Sequence, residues 1–339
     1  MQEPTLPVGK LPADLLAQLL QGAPVDDPRV LLGPGIGLDC AVIDAGDRLL
    51  VLKSDPITFV ARDMGRYLVE INANDIATAG AAPRWLLVTL LLPERRATAA
   101  LVRQIMDEVY GACRRLGIAV VGGHTEITHG LDQPIAVGAL IGEVERERLV
   151  TPRGARPGDR LLLTKGVPIE GTSILAREFP QRLAGVLSEE ELARAQAFLH
   201  RPGISVVRDA GIALDAGRVH AMHDPTEGGL DAALWELAQA SGRSLWVDPE
   251  RIPVPPLAAR VCACFGIDPR TTIASGALLL SAAAGDADAI RQALESEGIP
   301  CADIGEVSGG AAEVRCGADH ELLAWPTRDG IAQVFENAT

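Results

Sequence analysis

The sequence has few lysines, few aromatic residues and no basic excess. Of its 31 basic residues only three are lysine (Lys10, Lys53 and Lys165), and each stands beside a glycine or near an aspartate in a predicted loop or strand end. Aromatic residues make up 3% of the chain, so its cores must be built from Ala, Leu, Val and Ile. With 45 acidic residues the net charge is −14, which argues against a nucleic-acid-binding protein.

Membrane segments and cysteine pairs are also lacking. The longest strongly apolar run, 85–92, is far too short to cross a bilayer and predicts a buried strand. The amino terminus has neither a basic region nor an apolar segment, so we expect no signal peptide and a cytoplasmic protein. The six cysteines are scattered without a C-x-x-C pair, which argues against a disulfide framework or a zinc site.

The length and the pattern of elements predict two domains. A chain of 339 residues, 47% apolar and 22% charged, has the composition of a globular protein with two separate cores. A segment rich in Gly and Pro, 153–159, separates two halves in which strands alternate with helices. We therefore predict an α/β or α+β fold with domains at 1–150 and 151–339.

The segment from Gly33 to Asp39 contains glycines at 33, 35 and 37. It fits neither the dinucleotide-binding fingerprint nor the P-loop, because the third glycine is misplaced and no lysine follows. Gly35 and Gly37 leave a backbone able to approach a phosphate, and Asp39 adds a carboxylate at the end of the segment. A plain loop is the alternative.

Two further segments of the first half place polar groups near predicted strands and helices. Lys53, Ser54 and Asp55 stand at the predicted end of a strand, where α/β proteins often bind ligands, although Asp-Pro also suits a simple turn. Asn72, Asn74 and Asp75 lie inside a predicted helix at 63–79. Asn and Asp are unfavourable there, and side chains this close to the core need partners, so a metal–nucleotide ligand is a candidate.

A glycine pair follows the buried strand predicted at 118–121. In a loop, Gly122 and Gly123 would leave N–H groups open to an anion. His124, Thr125 and Glu126 would then supply hydrogen bonds or a proton relay, with a purely structural histidine as the alternative.

A second acidic glycine pair stands between a predicted strand and a predicted helix in the other half, at 223–229. Asp224 and Thr226 suit either helix capping or ligand binding, and Glu227 would lie near the positive end of the helix. Lys165 ends another predicted strand, where it would meet phosphate oxygens.

Acidic side chains therefore recur in or beside glycine-rich turns: Asp39, Asp55, Asp75, Glu126, Asp224 and Glu227. Carboxylates do not bind phosphate unaided, because like charges repel. Mg²⁺ between the carboxylates and a nucleotide triphosphate resolves the conflict.

The ordered set of motifs resembles the superfamily of aminoimidazole ribonucleotide (AIR) synthase, thiamine-monophosphate kinase, selenophosphate synthetase and the hydrogenase maturation factor HypE. Among these, 163–173 and 223–229 are most similar to HypE-like, AIR synthase-related proteins. The matching segments are 35–41, 54–55, 74–83, 122–123, 156–159, 224–230 and 275–280.

The resemblance implies a two-domain PurM-like fold. It has an N-terminal α/β domain that forms a dimeric β-barrel with a second copy, and a C-terminal α/β domain. It also implies ATP and Mg²⁺ held at Asp39, Asp55, Asn74 and Asp75.

Three departures from the HypE pattern affect the expected chemistry. HypE proteins end in a cysteine that carries the carbamoyl group to be dehydrated, whereas the last cysteine of this sequence is Cys316. His124 stands where Asp is usual after the glycine pair. Glu227 replaces an arginine and is more like thiamine-monophosphate kinase.

We therefore expect an ATP- and Mg²⁺-dependent enzyme of the HypE-like type that phosphorylates an acceptor, or activates it for dehydration or cyclisation. The alternatives are thiamine-monophosphate kinase, AIR synthase proper, or a nucleotide-binding maturation scaffold without turnover. A homodimer and a maturation partner protein are expected. The predicted catalytic residues are His124, Glu126, Lys165 and Glu227; the metal ligands are Asp39, Asp55, Asp75 and Asp224; and the remaining nucleotide-binding residues are Lys10, Gly35, Gly37, Lys53, Ser54, Asn72, Asn74, Gly122, Gly123, Thr125 and Thr226.

Overall fold

A computed structural model describes residue 6 and residues 10–58, 60, 62–326 and 328–336. The chain separates into two compact units. We call them the first-sheet unit, 25–33 with 39–149, and the second-sheet unit, which contains the described residues up to 24, 34–38 and those from 150 onward.

A six-stranded sheet forms the first-sheet unit, in the order β1-β2-β3-β6-β4-β5. Strands β4 and β5 pair in parallel, and the other neighbours are antiparallel. The strands are β1 (Val30–Leu32), β2 (Ala41–Asp44), β3 (Leu49–Ile57), β4 (Ala82–Pro93), β5 (Ala119–Thr128) and β6 (Ile135–Val144).

Two helices accompany this sheet. Helix α2 (Met64–Thr78) is buried along almost its whole length and packs against β3, β6 and the second helix, α3 (Ala99–Leu116). Thr98 caps the start of α3 by accepting a hydrogen bond from the Leu101 amide. Gly117, with φ of +69°, ends the helix in the left-handed conformation that glycine adopts without strain.

Two strands extend further than the sequence predicts. Strand β3 continues through Lys53 and Asp55 to Ile57, because β6 pairs with it along its full length. Strand β5 continues through the glycine pair, which is therefore not a loop. A Cβ atom on Gly123 would lie 1.8 Å from the Val88 carbonyl oxygen, so the glycine is needed for close pairing with β4.

The second-sheet unit contains a seven-stranded sheet in the order β13-β12-β9-β11-β7-β10-β8. Strands β12 and β9 pair in parallel, and the rest are antiparallel. The strands are β7 (Arg160–Thr164), β8 (Val219–His223), β9 (Ser244–Val247), β10 (Leu279–Ala282), β11 (Cys301–Ser308), β12 (Val314–Cys316) and β13 (Glu321–Leu322).

The helices of the second-sheet unit surround an aliphatic core made of Leu, Val, Ile and Ala, as the scarcity of aromatic residues predicts. Helix α9 is the one long element that the sequence reading misses, because prolines precede it and occupy its first position, where proline is tolerated. The helices are α1 (Ala13–Gln21), α4 (Ile169–Glu178), α5 (Pro180–Leu183), α6 (Glu189–Gln196), α7 (Val207–Ala216), α8 (Gly229–Ser241), α9 (Pro256–Phe265), α10 (Ala287–Ser296) and α11 (Gly330–Glu336).

These two mixed sheets with their helices confirm the predicted α+β fold class. The division into domains at 1–150 and 151–339 stays a prediction, since 34–38 group with the second-sheet unit. Within the described part of the chain, no helix has the length and apolar character needed to cross a membrane.

Candidate functional site

A lysine held between carboxylates is the main charged cluster of the first-sheet unit. The Lys53 ammonium lies 3.2 Å from Asp55 Oδ2 and 3.4 Å from Asp75 Oδ2. Lys53 and Asp55 are two residues apart on β3, so they share one face of the sheet, and Asp75 reaches them from α2. The structure thus brings together three residues that the sequence places on two separate elements.

Electrostatics keep this lysine charged. Burial by itself lowers the pKa of Lys53, but the carboxylates of Asp75, Asp55 and Asp39 outweigh it and hold that pKa well above its usual value. The cluster therefore carries three acids against one base, and its net negative charge suits a divalent cation with oxygen ligands.

The side chain of Asn72 ties α2 to the sheet. Its Oδ1 accepts a hydrogen bond from the Asp55 amide at 3.0 Å, and its Nδ2 donates to the carbonyls of Asp55 and Leu68. Asn72 is fully buried, and its amide is used within the unit. Asn72 therefore positions Asp55, and its nucleotide-binding role stays a prediction.

Ser54 and Asn74 take different places around this cluster. Ser54 lies on the opposite face of β3 from Lys53 and is exposed, so the structure does not bring it to the carboxylates. Asn74, next to Asp75 on α2, is fully buried. The nucleotide-binding role of Asn74 stays a prediction.

The predicted proton-transfer residues of this half lie elsewhere. His124 Nε2 is 3.0 Å from Glu126 Oε2, but both side chains are exposed on β5, together with Thr125. Two strands separate β5 from β3, so about 14 Å lies between their backbones. Gly122 and Gly123 are paired in the same strand, so the anion-binding loop predicted for them is wrong.

In the second-sheet unit the predicted acidic turn follows β8 and leads into α8. His223 and Asp224 are buried, whereas Thr226 and Glu227 are half-buried. Neither Asp224 nor Thr226 caps α8, whose N-cap is Gly228 with φ of +82°. Their side chains are thus not committed to capping.

Glu236 on α8 contacts both the Lys10 ammonium and the His223 ring. Its Oε1 lies 3.2 Å from Lys10 Nζ, and its Oε2 lies 3.1 Å from His223 Nε2. Burial raises the pKa of Glu236, but His223 and Lys10 outweigh that effect and lower it to about 2. Glu236 therefore fixes the predicted nucleotide-binding residue Lys10 next to the acidic turn, which the sequence reading did not foresee.

The first glycine-rich segment packs against the same helix. Gly37 has φ of +68°, and a Cβ atom there would lie 2.6 Å from the Glu236 carbonyl oxygen. At Gly35 a Cβ atom would contact the Leu38 side chain instead. Close packing on α8 thus explains Gly37, while the phosphate-binding role of both glycines stays a prediction.

Lys165 points into the second-sheet unit rather than toward a ligand. Its ammonium lies 3.1 Å from Asp209 Oδ2 and donates to the Ser205 carbonyl at 2.8 Å. The side chain is 5% exposed. In the structure this ammonium neutralises a buried carboxylate, and the catalytic, phosphate-neutralising role of Lys165 stays a prediction.

One buried acid was not predicted at all. Glu170 is 3% exposed, at the second position of α4. Burial raises the pKa of Glu170 to about 7, Ser275 opposes that rise, and Asp329 and Glu227 add to it. The sequence carries a signal for this group, since a single acid stands among apolar and small residues in the segment 167–176.

Both domains of the AIR synthase related protein family match this chain. The N-terminal domain of that family matches 37–144, and its C-terminal domain matches 156–316.

Curated and solved relatives agree with this match. Carbamoyl dehydratase HypE of Cupriavidus necator is 32% identical over 275 residues, which are 78% of this chain and 74% of that protein. A crystal structure of hydrogenase maturation protein HypE in complex with ATP superposes with a TM-score of 0.70 at 24% identity, over 88% of this chain and 90% of that one. A HypE–HypF complex gives a TM-score of 0.71 at 18% identity, over 90% and 96%.

The solved structures establish the two-domain PurM-like fold, and the family match spans both sheets. The chain therefore belongs to the AIR synthase related protein family.

Proposed function

We propose that this protein is an ATP- and Mg²⁺-dependent enzyme that dehydrates a carbamoyl group during hydrogenase maturation. The observation that carries the proposal is its 32% identity to a carbamoyl dehydratase HypE over 78% of the chain. The lysine–carboxylate cluster of the first-sheet unit supports it, because phosphoryl transfer depends on positioning and charge neutralisation.

The residues present fit Mg²⁺. Asp39, Asp55 and Asp75 offer carboxylate oxygens, the donors that this cation prefers, and all three act on Lys53. Asp224 is the fourth proposed ligand. When bound, the cation would neutralise charge on the ATP phosphates. Lys53 would then be available to a phosphate oxygen, because the metal relieves it of its carboxylates.

The rest of the site would bind and orient the substrates. Asn72 fixes the backbone of Asp55, and Glu236 holds Lys10. The half-buried residues Thr226 and Glu227 stand in the same turn as Asp224. We assign these two residues to contacts with the nucleotide and the acceptor.

A homodimer and a partner protein are part of the proposal. Among the described residues, β5 pairs only with β4, and Val121 and Ile127 on it are 55% and 63% exposed. A second copy adding a strand there would cover these apolar side chains. A maturation partner is supported by the HypE–HypF complex among the relatives.

Titration calorimetry with ATP and MgCl₂ tests the nucleotide site. We expect binding that Asp75→Asn weakens by at least tenfold, because it removes a proposed ligand, whereas Asp107→Asn, an exposed acid on α3, leaves it unchanged. Absence of Mg²⁺-dependent ATP binding in the unaltered protein contradicts the proposal.

The acceptor is tested with a synthetic peptide that ends in S-carbamoylcysteine. We expect ATP-dependent loss of one water from the peptide, seen by mass spectrometry, together with ADP release. Phosphorylation of thiamine monophosphate instead would identify a kinase. ATP binding without ADP release for any of these acceptors would identify a scaffold.

A further inference from the structure

Two buried polar groups of the second-sheet unit face each other across the start of α4. Glu170 is 3% exposed, and Ser275, in the segment before β10, is fully buried. The Ser275 hydroxyl and amide are close enough to Glu170 to lower its pKa in part. The pair thus forms one small polar site inside an apolar surrounding.

The backbone fixes this pair rigidly. The Gly171 amide donates to the Ile273 carbonyl at 3.0 Å, and a Cβ atom on Gly171 would lie 2.6 Å from a Thr272 methyl carbon. A Cβ atom on Gly276 would lie 3.1 Å from Ile169. The start of α4 and the segment 272–276 therefore approach each other as closely as glycine allows.

Hydrogen bonding within the described part of the chain leaves this site incomplete. Beyond their contact with each other, Glu170 Oε2 and Ser275 Oγ have no hydrogen-bond partner there, although both atoms are shielded from solvent. Buried polar groups are nearly always paired, since an unmade hydrogen bond costs about 1–3 kcal/mol. Two such groups side by side indicate a place for a ligand that has hydrogen-bond donors.

Two like charges influence Glu170 among the described residues. The carboxylates of Asp329 and Glu227 repel the ionised form of Glu170 and so raise its pKa. Asp329 is held by the amides of Gly228 and Ile331, and Lys10 acts on Asp329. Glu170 does not belong to the carboxylates spaced for a shared metal ion among the described residues.

We propose that Glu170 is a catalytic residue, the base that takes an N–H proton from the amide group of the acceptor, with Ser275 hydrogen-bonded to the same group. This inference rests on the proposed dehydration. The half-buried Glu227, which acts on Glu170 from the acidic turn, marks the side of the cluster nearest to solvent.

The carbonyl oxygen of the carbamoyl group attacks the γ-phosphorus of ATP, so an O–P bond forms, and the bond from that phosphorus to the β,γ-bridging oxygen breaks with its electron pair leaving on ADP. The nitrogen loses one proton to Glu170 Oε2, and its electron pair becomes part of the new C=N bond. The products are ADP, an O-phosphorylated imidate and a neutral Glu170, which later releases the proton to water.

Glu170→Gln tests the proposal, because glutamine keeps the shape and burial of the side chain but accepts no proton. With the S-carbamoylcysteine peptide as probe, we expect kcat to fall 10²–10⁴-fold with KM changed less than fivefold. In the unaltered protein the rate should rise with pH through about 7, and this rise should be lost in the variant.

Asp231→Asn is the matched control. Asp231 is also a buried acid near the start of a helix, but it is paired with Arg270, so its loss removes a buried carboxylate without touching the proposed site. We expect kcat per folded molecule and the pH profile to stay as in the unaltered protein.

Two results overturn the inference in distinguishable ways. If the unaltered protein dehydrates the probe and Glu170→Gln keeps its rate and pH profile, Glu170 is not the base, while the proposed function stands. If the unaltered protein binds ATP but never dehydrates the probe, the proposed function fails and the role of Glu170 fails with it.

Discussion

Two buried glutamates of the second-sheet unit, Glu236 and Glu170, share a residue type and differ in their neighbours. Glu236 lies between Lys10 and His223, and these cations lower its pKa from 4.5 to about 2. Glu170 is surrounded by Asp329 and Glu227, and burial raises its pKa from 4.5 to about 7. The first is fixed as an anion, and the second exchanges a proton near neutral pH.

This difference separates structural from chemical roles of buried acids. An acid with cationic partners positions those partners, as Glu236 positions Lys10. An acid without them is unfavourable for the fold when ionised, and such groups cluster at functional sites. The Lys53 cluster of the first-sheet unit lies between these cases, because one lysine serves several acids.

The largest loss of stability is expected when the Lys53 cluster loses the ammonium that neutralises its carboxylates. Lys53→Met leaves Asp75, 3% exposed, beside Asp55 without a positive charge. Breaking a buried pair in this way costs about 3–5 kcal/mol. We expect a strongly lowered thermal unfolding temperature that millimolar MgCl₂ restores in large part, because the cation replaces the ammonium.

Lys165→Met is the control for that experiment. Lys165 is more deeply buried than Lys53 and pairs with the carboxylate of Asp209, which also accepts a hydrogen bond from the Thr164 hydroxyl. Its loss should lower stability without rescue by MgCl₂. Equal rescue of both variants, or of neither, would contradict a metal site at Asp55 and Asp75.

Much of the fold follows from the sequence. Apolar runs bounded by Gly and Pro predict β7 at 160–164, and the apolar spacing predicts α2 and α3 to within a few residues. The prediction fails where pairing outweighs composition: Gly122 and Gly123 indicate a loop, but β4 holds them in a strand. Register with a neighbouring strand is a long-range property that a local pattern does not contain.

The sequence predicts the candidate site only in part. Asp55 and Asp75 stand out because acids are unusual beside a buried strand and inside a helix. Glu170 gives a weaker signal: it is a single acid among apolar and small residues, but a glutamate in the first turn of a helix is ordinary. Its significance comes from Asp329, which is distant in sequence and reaches the same place only through the fold.

The next prediction concerns Glu236. Because its pKa is lower in the folded protein than in the unfolded one, Glu236 contributes stability that is complete above pH 4.5 and is lost as pH falls toward 2. The shift from 4.5 to about 2 corresponds to about 3 kcal/mol. Glu236→Gln should therefore lower the free energy of unfolding by up to this amount at pH 7, measured by urea denaturation. The difference should vanish near pH 2.

Glu170→Gln should act in the opposite direction. Its raised pKa means that the folded protein holds this proton more tightly, so the stability from Glu170 is complete below pH 4.5 and is lost as pH rises through about 7. Glutamine does not ionise, so we expect the variant to be more stable than the unaltered protein by about 3 kcal/mol at pH 8. Equal stability of the two proteins at pH 8 would contradict the claim that ionised Glu170 destabilises the folded protein.

The smallest effect is expected from Lys10→Met, which removes one of the two cations from Glu236. The Lys10 side chain is 39% exposed, so water screens its contribution, and we expect a loss of at most about 1 kcal/mol. His223, 1% exposed, keeps Glu236 ionised in the variant. The loss should shrink when urea denaturation is repeated in 0.5 M salt. At roughly 0.1 M salt, charges are already screened beyond about 10 Å, and 0.5 M salt shortens that distance further. A loss as large as that of Glu236→Gln would instead mean that Lys10, rather than the buried histidine, holds the glutamate as an anion.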